Sequence, residues 1–465
     1  MFYIIIPMNY QEFIESKKHT TGQFGFEPVY FPEKIFDFQR AIIEKAVRKG
    51  RMGIFADTGL GKTRISLAIA QNIVLKTWWR VLILTPLAVA FQFIDEAKEI
   101  WLWSIEYSKD GKFTSDIVLC NYERLDYFDS KDFECVILDE SSILKNFKWQ
   151  IKIQITSFLR KVKYRFLTTA TPSPNDFIEL WTSSEALGYM WYMDMLTKFF
   201  KSTANSIDSN NRNIWEKFYL KPHAENAFFQ WVNSWSIMVK KPSDIGFDDS
   251  RYELPELIIH THKVENKADV WIWWQGLLFN DVKPQAKTMS EVRLEQKQTE
   301  YDRCVKAVEL AQGKTSVYRC NTNNESAILK KLDTEAVEII WSQTIEQKEQ
   351  ILKDFASWKV KRIITKASIT GMWLNRQHCN HCVYFPTRSY EQYYQAIRRF
   401  WRFWQKNDVV VDMVISDWQG RVIQALNEKM KKAVQLYQNL VKNVNSVRTE
   451  TKKDETNNIT LPSFI

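Results

Sequence analysis

Glycine is the first shortage. The chain has 13 glycines in 465 residues, where the usual ~7% would give roughly 33. That excludes a glycine-rich, low-complexity or collagen-like architecture. Cysteine is also sparse: six, scattered, which speaks against a disulfide framework and suits reduced thiols. No apolar run approaches the ~20 residues that span a bilayer. The opening MFYIII is too short for a signal core and lacks a basic flank, so the expectation is a soluble, cytoplasmic protein. No internal sequence repeat is visible.

Hydrophobic residues, by contrast, make up 45% and charged residues 26%, ordinary for folded domains, and the length suits two or three of them. The net charge of +9 favours a polyanionic partner without saying anything about fold. Tryptophan is in excess: 19 copies, more than glycine.

Short apolar runs alternate with amphipathic stretches, the pattern of parallel sheets with crossover helices. Strands are predicted at Met52–Phe55, Val81–Leu84, Ile117–Leu119, Cys135–Leu138 and Arg165–Leu167. Further strands are predicted at Ser316–Cys320, Val337–Trp341, Arg362–Thr365, Cys382–Phe385 and Val409–Ser416. Between the two sets, Glu179–Leu257 reads as helical and aromatic, and Ala286–Gln312 as a charged helix. Arg421–Val444 reads as a helix leading into a polar, disordered tail. The expected fold class is therefore α/β, two domains with parallel sheets flanked by helices and a helical insertion between them. The expected boundaries are 1–29 for an N-terminal segment, 30–180 and 312–445 for the two domains, 181–311 for insertion and linker, and 446–465 for a flexible tail.

The strongest local signal is Ala56-Asp57-Thr58-Gly59-Leu60-Gly61-Lys62-Thr63, placed after a strand and opening a helix. Thr58, Gly59 and Gly61 would turn backbone N–H groups toward phosphate oxygens at a helix N-terminus. Lys62 would reach the outer phosphates, and the Thr63 hydroxyl would ligate Mg²⁺. Ala56 replaces the pattern's first glycine. A second strand ends in Asp139-Glu140-Ser141-Ser142. Buried carboxylates demand a cation or water network: Asp139 fits an Mg²⁺ ligand and Glu140 the base that orients an attacking water. Thr169 and Thr171, at the end of a further strand, could couple the γ-phosphate state to movement; a plain Thr/Pro turn is equally compatible. Arg399 and Arg402, within Gln395–Gln405, are spaced as one helical turn and could act as arginine fingers. ATP and Mg²⁺ are the expected cofactors.

Taken in order, these segments resemble the superfamily-2 helicases and translocases, nearest to the Snf-type and DEAD/DEAH-type ATPases of phages and bacteria. The resemblance covers about residues 30–180 and 312–420. It implies two RecA-like domains that clamp one nucleotide and step along nucleic acid. It further implies that Gln39 reads adenine, that Gln395 joins Thr169 and Thr171 in coupling, and that Thr85, Arg124 and Thr365 contact the phosphate backbone, which positions without reading sequence. The implied activity is that of an ATP-dependent DNA helicase or double-strand translocase. An RNA helicase is the alternative within the class, and a non-catalytic nucleic-acid-binding scaffold the alternative outside it. His378–Cys382 has zinc-ligand residue types but no second cluster at finger spacing. Val270–Trp274 could be imagined as a base-stacking platform, but buried core is the plainer reading.

The family's Gly-x-Gly-[Leu/Ile]-Asn stands here as Gly371-Met372-Trp373-Leu374-Asn375, and its Arg-x-Gly-Gln as Arg402-Phe403-Trp404-Gln405. Trp191 and Trp341 look like similar replacements, as do Trp78-Trp79 and Trp418 in turn-like settings. Indole is the bulkiest substitute for a residue chosen for positive φ or close approach. Two explanations stay open: UGA codons read as glycine by the source organism, or genuine divergence with impaired catalysis.

Overall fold

The computed structural model describes residues 22–145, 149–173, 176–202, 218–265, 296–340, 342–366, 379–387, 390–403 and 405–416, with six single helical positions between 424 and 441. The chain divides into two compact units, with breaks after Asp248 and after Ala433.

In the first unit, helix α1 (Asp37–Lys49) leads through Gly50, whose φ of 73° closes the helix in the left-handed region, into strand β1 (Arg51–Ala56). Helix α2 (Lys62–Thr77), β2 (Arg80–Leu84), α3 (Leu87–Glu99), β3 (Ile105–Tyr107), β4 (Ile117–Cys120), β5 (Phe133–Asp139), α4 (Trp149–Arg160) and β6 (Tyr164–Thr168) follow. The strand β9 (Ser236–Val239) completes a seven-stranded sheet of order β3-β4-β2-β5-β6-β1-β9, parallel throughout. Its strands are nearly continuous apolar runs because helices cover both faces. All five strands expected in this half are present.

The stretch expected as a helical insertion does not stand apart. Helices α5 (Leu180–Leu187), α6 (Tyr192–Phe199) and α7 (Glu225–Trp235), with the antiparallel pair β7 (Phe200–Ser202) and β8 (Phe218–Leu220), pack into the first unit's core. There Phe199, Phe228, Trp231 and Trp235 cluster with Phe55 and Leu138. Strand β9 then joins the sheet beside β1. It escaped the sequence pattern because Ser236-Ile237-Met238-Val239 follows an aromatic helix without a breaker. Val441, from the segment expected to close the second domain, also packs on this core.

The second unit begins with β10 (Leu257–Val264), another strand the pattern missed. It continues through α8 (Glu300–Ala311), β11 (Ser316–Cys320), α9 (Asn323–Leu332), β12 (Val337–Ile339), α10 (Ile345–Ala356), β13 (Arg362–Lys366), β14 (His381–Tyr384), α11 (Tyr390–Ile397) and β15 (Val409–Ser416). The six strands run β10-β15-β14-β11-β13-β12, all parallel. Capping boxes at Thr322/Glu325 and Thr344/Gln347 start α9 and α10, each satisfying helix-end N–H groups that would otherwise be orphaned. The fold class is thus two RecA-like α/β units, each a parallel sheet flanked by helices.

All six cysteines are buried and none is disulfide-bonded. Among the described residues no helix is long and apolar enough to cross a membrane. His378, Val270–Trp274, Gly371–Asn375, Trp341, Trp404, Trp418 and the C-terminal tail lie outside the described residues.

In the second unit, the buried Asp412 on β15 accepts from His262 Nε2 at 2.9 Å and His381 Nε2 at 2.8 Å, with His260 Nδ1 at 3.1 Å. Burial pushes this carboxyl up, but the hydrogen bonds from His381, His262 and His260 outweigh it and hold Asp412 well below the usual range. His381, drawn into this cluster from the His378–Cys382 segment, is a strand residue tied to its neighbours. It also meets Ser316 through Nδ1, at 2.5 Å.

Candidate active site

The site lies at the C-terminal ends of β1, β5 and β6, where parallel α/β sheets place their ligands. From Ala56 the chain turns through Gly59 (φ 90°) and Gly61 (φ 77°) into α2. Both glycines stand where a side chain is disfavoured. The Asp57 N–H donates to Val239 O at 2.9 Å, so the edge strand β9 ties down the start of the loop. The Thr58 N–H donates to Asp57 Oδ1 at 2.6 Å.

Gln39 braces the same loop from α1. Its Nε2 donates to Leu60 O at 2.9 Å, and its Oε1 accepts from the Phe36 N–H at 3.2 Å. The family resemblance gave this residue to the adenine; here its buried amide holds the turn that would cradle the phosphates. Lys62 Nζ donates to Ala56 O at 3.0 Å and Asp57 O at 3.2 Å, lying across the loop. Thr63, in the first turn of α2, is half-buried.

Asp139 closes β5 and is buried. Its Oδ1 accepts from Thr168 Oγ1 at 2.9 Å and its Oδ2 from Thr85 Oγ1 at 3.3 Å. Burial and the neighbouring Glu140 charge push its carboxyl up to about 6, against the opposing pull of the Thr168 hydroxyl, the Lys62 ammonium and the Thr85 hydroxyl. A buried carboxylate held by two neutral hydroxyls is short of positive charge, which suits a divalent cation beside Thr63 and Asp139. Glu140 adopts φ 54°, an uncommon backbone for a residue with a side chain and one that gathers at functional sites. Its Oε1 accepts from Ser142 Oγ at 3.1 Å and Thr169 Oγ1 at 3.2 Å. Thr169 also accepts from the Thr171 N–H at 3.1 Å, so the third motif is wired to the second through one hydroxyl.

The structure therefore joins Lys62, Asp139, Glu140, Thr169 and Thr171 in one network with the phosphate loop. Two residues without an assigned role belong to it: Thr168, and Tyr122, whose phenol donates to Asp139 O. Thr168 precedes Thr169 and Tyr122 stands two residues before Arg124, but only the fold turns their hydroxyls inward.

Three expectations need correction. Thr85 is 0% exposed and gives its hydroxyl to Asp139, so it positions a carboxylate and cannot reach a nucleic-acid backbone. Thr365, likewise 0% exposed, is an interior residue of β13 hydrogen-bonded to its neighbours in the sheet. Arg399 and Arg402 are not one helical turn apart, because α11 ends at Ile397 and both arginines sit in the turns that follow. The bulky Phe400, Trp401 and Phe403 fold back there, with Trp401 Nε1 donating to Pro255 O at 2.7 Å and the buried Arg398 5.0 Å from the Trp401 ring centre. Burial, with the nearby Arg399 charge, pushes the Arg319 guanidinium down to about 10. Gln395 is half-buried on α11. Arg124 remains exposed, on the 3₁₀ turn after β4, with Nη1 donating to Lys109 O at 3.2 Å.

Residues 36–179 match the DEAD/DEAH box helicase family. A SWI/SNF-related matrix-associated actin-dependent regulator of chromatin subfamily A-like protein 1 from Xenopus tropicalis is 30% identical over 165 residues, 33% of this chain and 17% of that protein. Putative protein p41 of Acyrthosiphon pisum secondary endosymbiont phage 1 is 28% identical over 182 residues, 34% of this chain and 38% of the relative. The Bos taurus DNA annealing helicase and endonuclease ZRANB3 is 27% identical over 193 residues, 37% and 18% of the two chains. The alignments thus span well under half of each relative's length. Among solved structures, the Sulfolobus solfataricus SWI2/SNF2 ATPase core in complex with dsDNA aligns with 84% of this chain and 90% of its own, at TM-score 0.39 and 15% identity.

Proposed function

We propose that the chain, whose residues 36–179 match the DEAD/DEAH box helicase family, is a Snf-type, superfamily-2 protein that hydrolyses ATP to translocate along DNA. The observation that carries this reading is the network around Asp139. A phosphate loop, a cation-seeking buried carboxylate and a second carboxylate wired to Thr169 are the parts that ATP hydrolysis and its mechanical coupling require. Lys62 would leave the Ala56 and Asp57 carbonyls for the outer phosphates of the nucleotide. Thr63 and Asp139 would hold Mg²⁺, which neutralises phosphate charge when bound. Glu140 would orient the attacking water.

The exposed Arg124 and the net charge of +9 favour a polyanion. DNA is favoured over RNA by the name of one relative, a DNA annealing helicase and endonuclease. The reading is tested by ATP turnover with duplex DNA, single-stranded DNA and RNA. The proteins compared are the chain, its Trp373→Gly/Trp404→Gly form and the Lys62→Ala variant of each. Stimulation greatest with duplex DNA and abolished by Lys62→Ala is expected. A rate indifferent to every polynucleotide in both forms overturns it.

A further inference from the structure

Four non-glycine residues among those described have positive φ: Trp78 (61°), Trp101 (61°), Glu140 (54°) and Trp358 (64°). Glu140 belongs to the site. The other three are all tryptophan, a residue type that supplies 19 of 465 positions.

Their setting is the same each time. Trp78 caps α2, with its N–H donating to Val74 O at 2.8 Å. Trp101 follows α3, and there the Leu102 N–H reaches back to Ala97 O at 2.9 Å. Trp358 follows α10, and the Lys359 N–H reaches back to Asp354 O at 2.9 Å. These are left-handed helix terminations, the position where glycine is most strongly enriched because a Cβ collides with the adjoining carbonyl. The same protein ends α1 on Gly50 (φ 73°) and α5 on Gly188 (φ 85°) in the same way.

A tryptophan could earn such a place by burying its ring, but these do not. Trp78, Trp101 and Trp358 are 88%, 70% and 56% exposed. Two tryptophans of the first unit contrast with these. Trp231 and Trp235 are buried in α7, their rings 5.4 Å apart, and Trp235 meets Phe55 edge-on at 6.1 Å. Trp191 has φ −76°, a backbone open to any residue, so the structure gives no reason to place glycine there.

We propose that the functional protein carries glycine at positions 78, 101 and 358, through UGA codons read as glycine, and by the same codon at 373 and 404. Backbone geometry selects the first three positions, and family motifs select the last two. Neither selection used the other, yet both single out tryptophan at glycine sites, and each such position narrows the shortage of one residue and the excess of the other. Only the part concerning 373 and 404 rests on the proposed function.

The gene decides it directly. UGA is expected at codons 78, 101, 358, 373 and 404, with UGG at 231 and 235; UGG at 78, 101 and 358 overturns the inference. Peptide masses from the native source should show glycine at the same positions, and indole-bearing peptides there would also overturn it. In recombinant protein, Trp78→Gly/Trp101→Gly/Trp358→Gly should raise Tm, by about 2–4 °C for each kcal/mol of relieved strain in units of this size. An unchanged or lowered Tm argues against it. Adding Trp373→Gly and Trp404→Gly should restore DNA-stimulated turnover. A stabilised glycine form with UGA codons but no stimulated turnover would leave the recoding standing and bring down the translocase reading alone.

Discussion

A Cβ added to Gly61 would lie 2.2 Å from Gln39 Nε2, so the phosphate loop and the glutamine that braces it are fitted with no room between them. Gly61 also holds φ 77°. Gly61→Ala therefore adds a backbone cost of about 1–2 kcal/mol to a steric displacement of Gln39. The expected result is a lower Tm and lost nucleotide binding, measured with a fluorescent ATP analogue. Gln39→Ala should be milder. It leaves Leu60 O without its donor and loosens the loop, raising KM for ATP about tenfold, the equivalent of a single hydrogen bond near 1.4 kcal/mol. Equal effects of the two substitutions would argue against a bracing role.

The elevated Asp139 carboxyl gives a pH signature. Its folded pKa of about 6 lies above the ordinary value of 3.8, so the protonated form is favoured by folding. That contribution is complete below about 4 and lost as pH rises through 6. Asp139→Asn should thus stabilise the ligand-free protein at pH 7 by about 2–3 kcal/mol, at about 1.36 kcal/mol for each tenfold change in proton affinity, while abolishing turnover. Urea titration of both proteins at pH 4 and 7 checks the sign: the gain belongs at pH 7 alone.

Thr168 and Thr85 stabilise the charged form of Asp139 by donating to it. Thr168→Val removes one donor and should raise the carboxyl further, moving the acid limb of Mg²⁺-dependent ATP turnover to higher pH. Thr85→Val should do the same to a smaller extent, its hydrogen bond being longer. Were Thr85 instead a backbone contact for nucleic acid, its loss would weaken DNA binding and leave the pH profile in place. The pH profile and the DNA affinity of Thr85→Val separate the two.

Most of the site was legible because it is local. Glycines before a lysine at a strand-to-helix turn, and two carboxylates at the end of an apolar strand, are readable as runs of neighbours. The sheet around them was legible for the same reason, through buried strands with nearly uninterrupted apolar character. What the sequence could not deliver was pairing across distance. Val239 meets Asp57 and Thr85 meets Asp139 because of strand order, and a two-residue periodicity carries no strand order. Strand β10 was missed because it is an edge strand whose Thr261 and Lys263 break the apolar run. The spacing of Arg399 and Arg402 fits a helix, but α11 ends at Ile397, before either of them. In each case tertiary packing overrode a local pattern.

The second unit offers a test independent of nucleotide chemistry. Asp412 is charged and buried, and its compensation comes from three histidines on two neighbouring strands, with the Lys314 ammonium 4.0 Å away. Because its folded pKa is depressed, its ionised form stabilises the fold above the ordinary carboxyl value near 3.8, and that contribution is lost as pH falls below it. Asp412→Asn keeps the shape and removes the charge, so it should lower stability at pH 7, and by a smaller margin at about pH 3, where part of that contribution is already lost. His381→Ala removes the buried donor and leaves Oδ2 short of a partner. A loss of about 1–3 kcal/mol is expected, larger than for His260→Ala, whose ring is half in solvent and readily replaced by water. Denaturant titrations at both pH values give the ranking, and a His260 effect equal to that of His381 would mean that burial does not set the strength of these bonds.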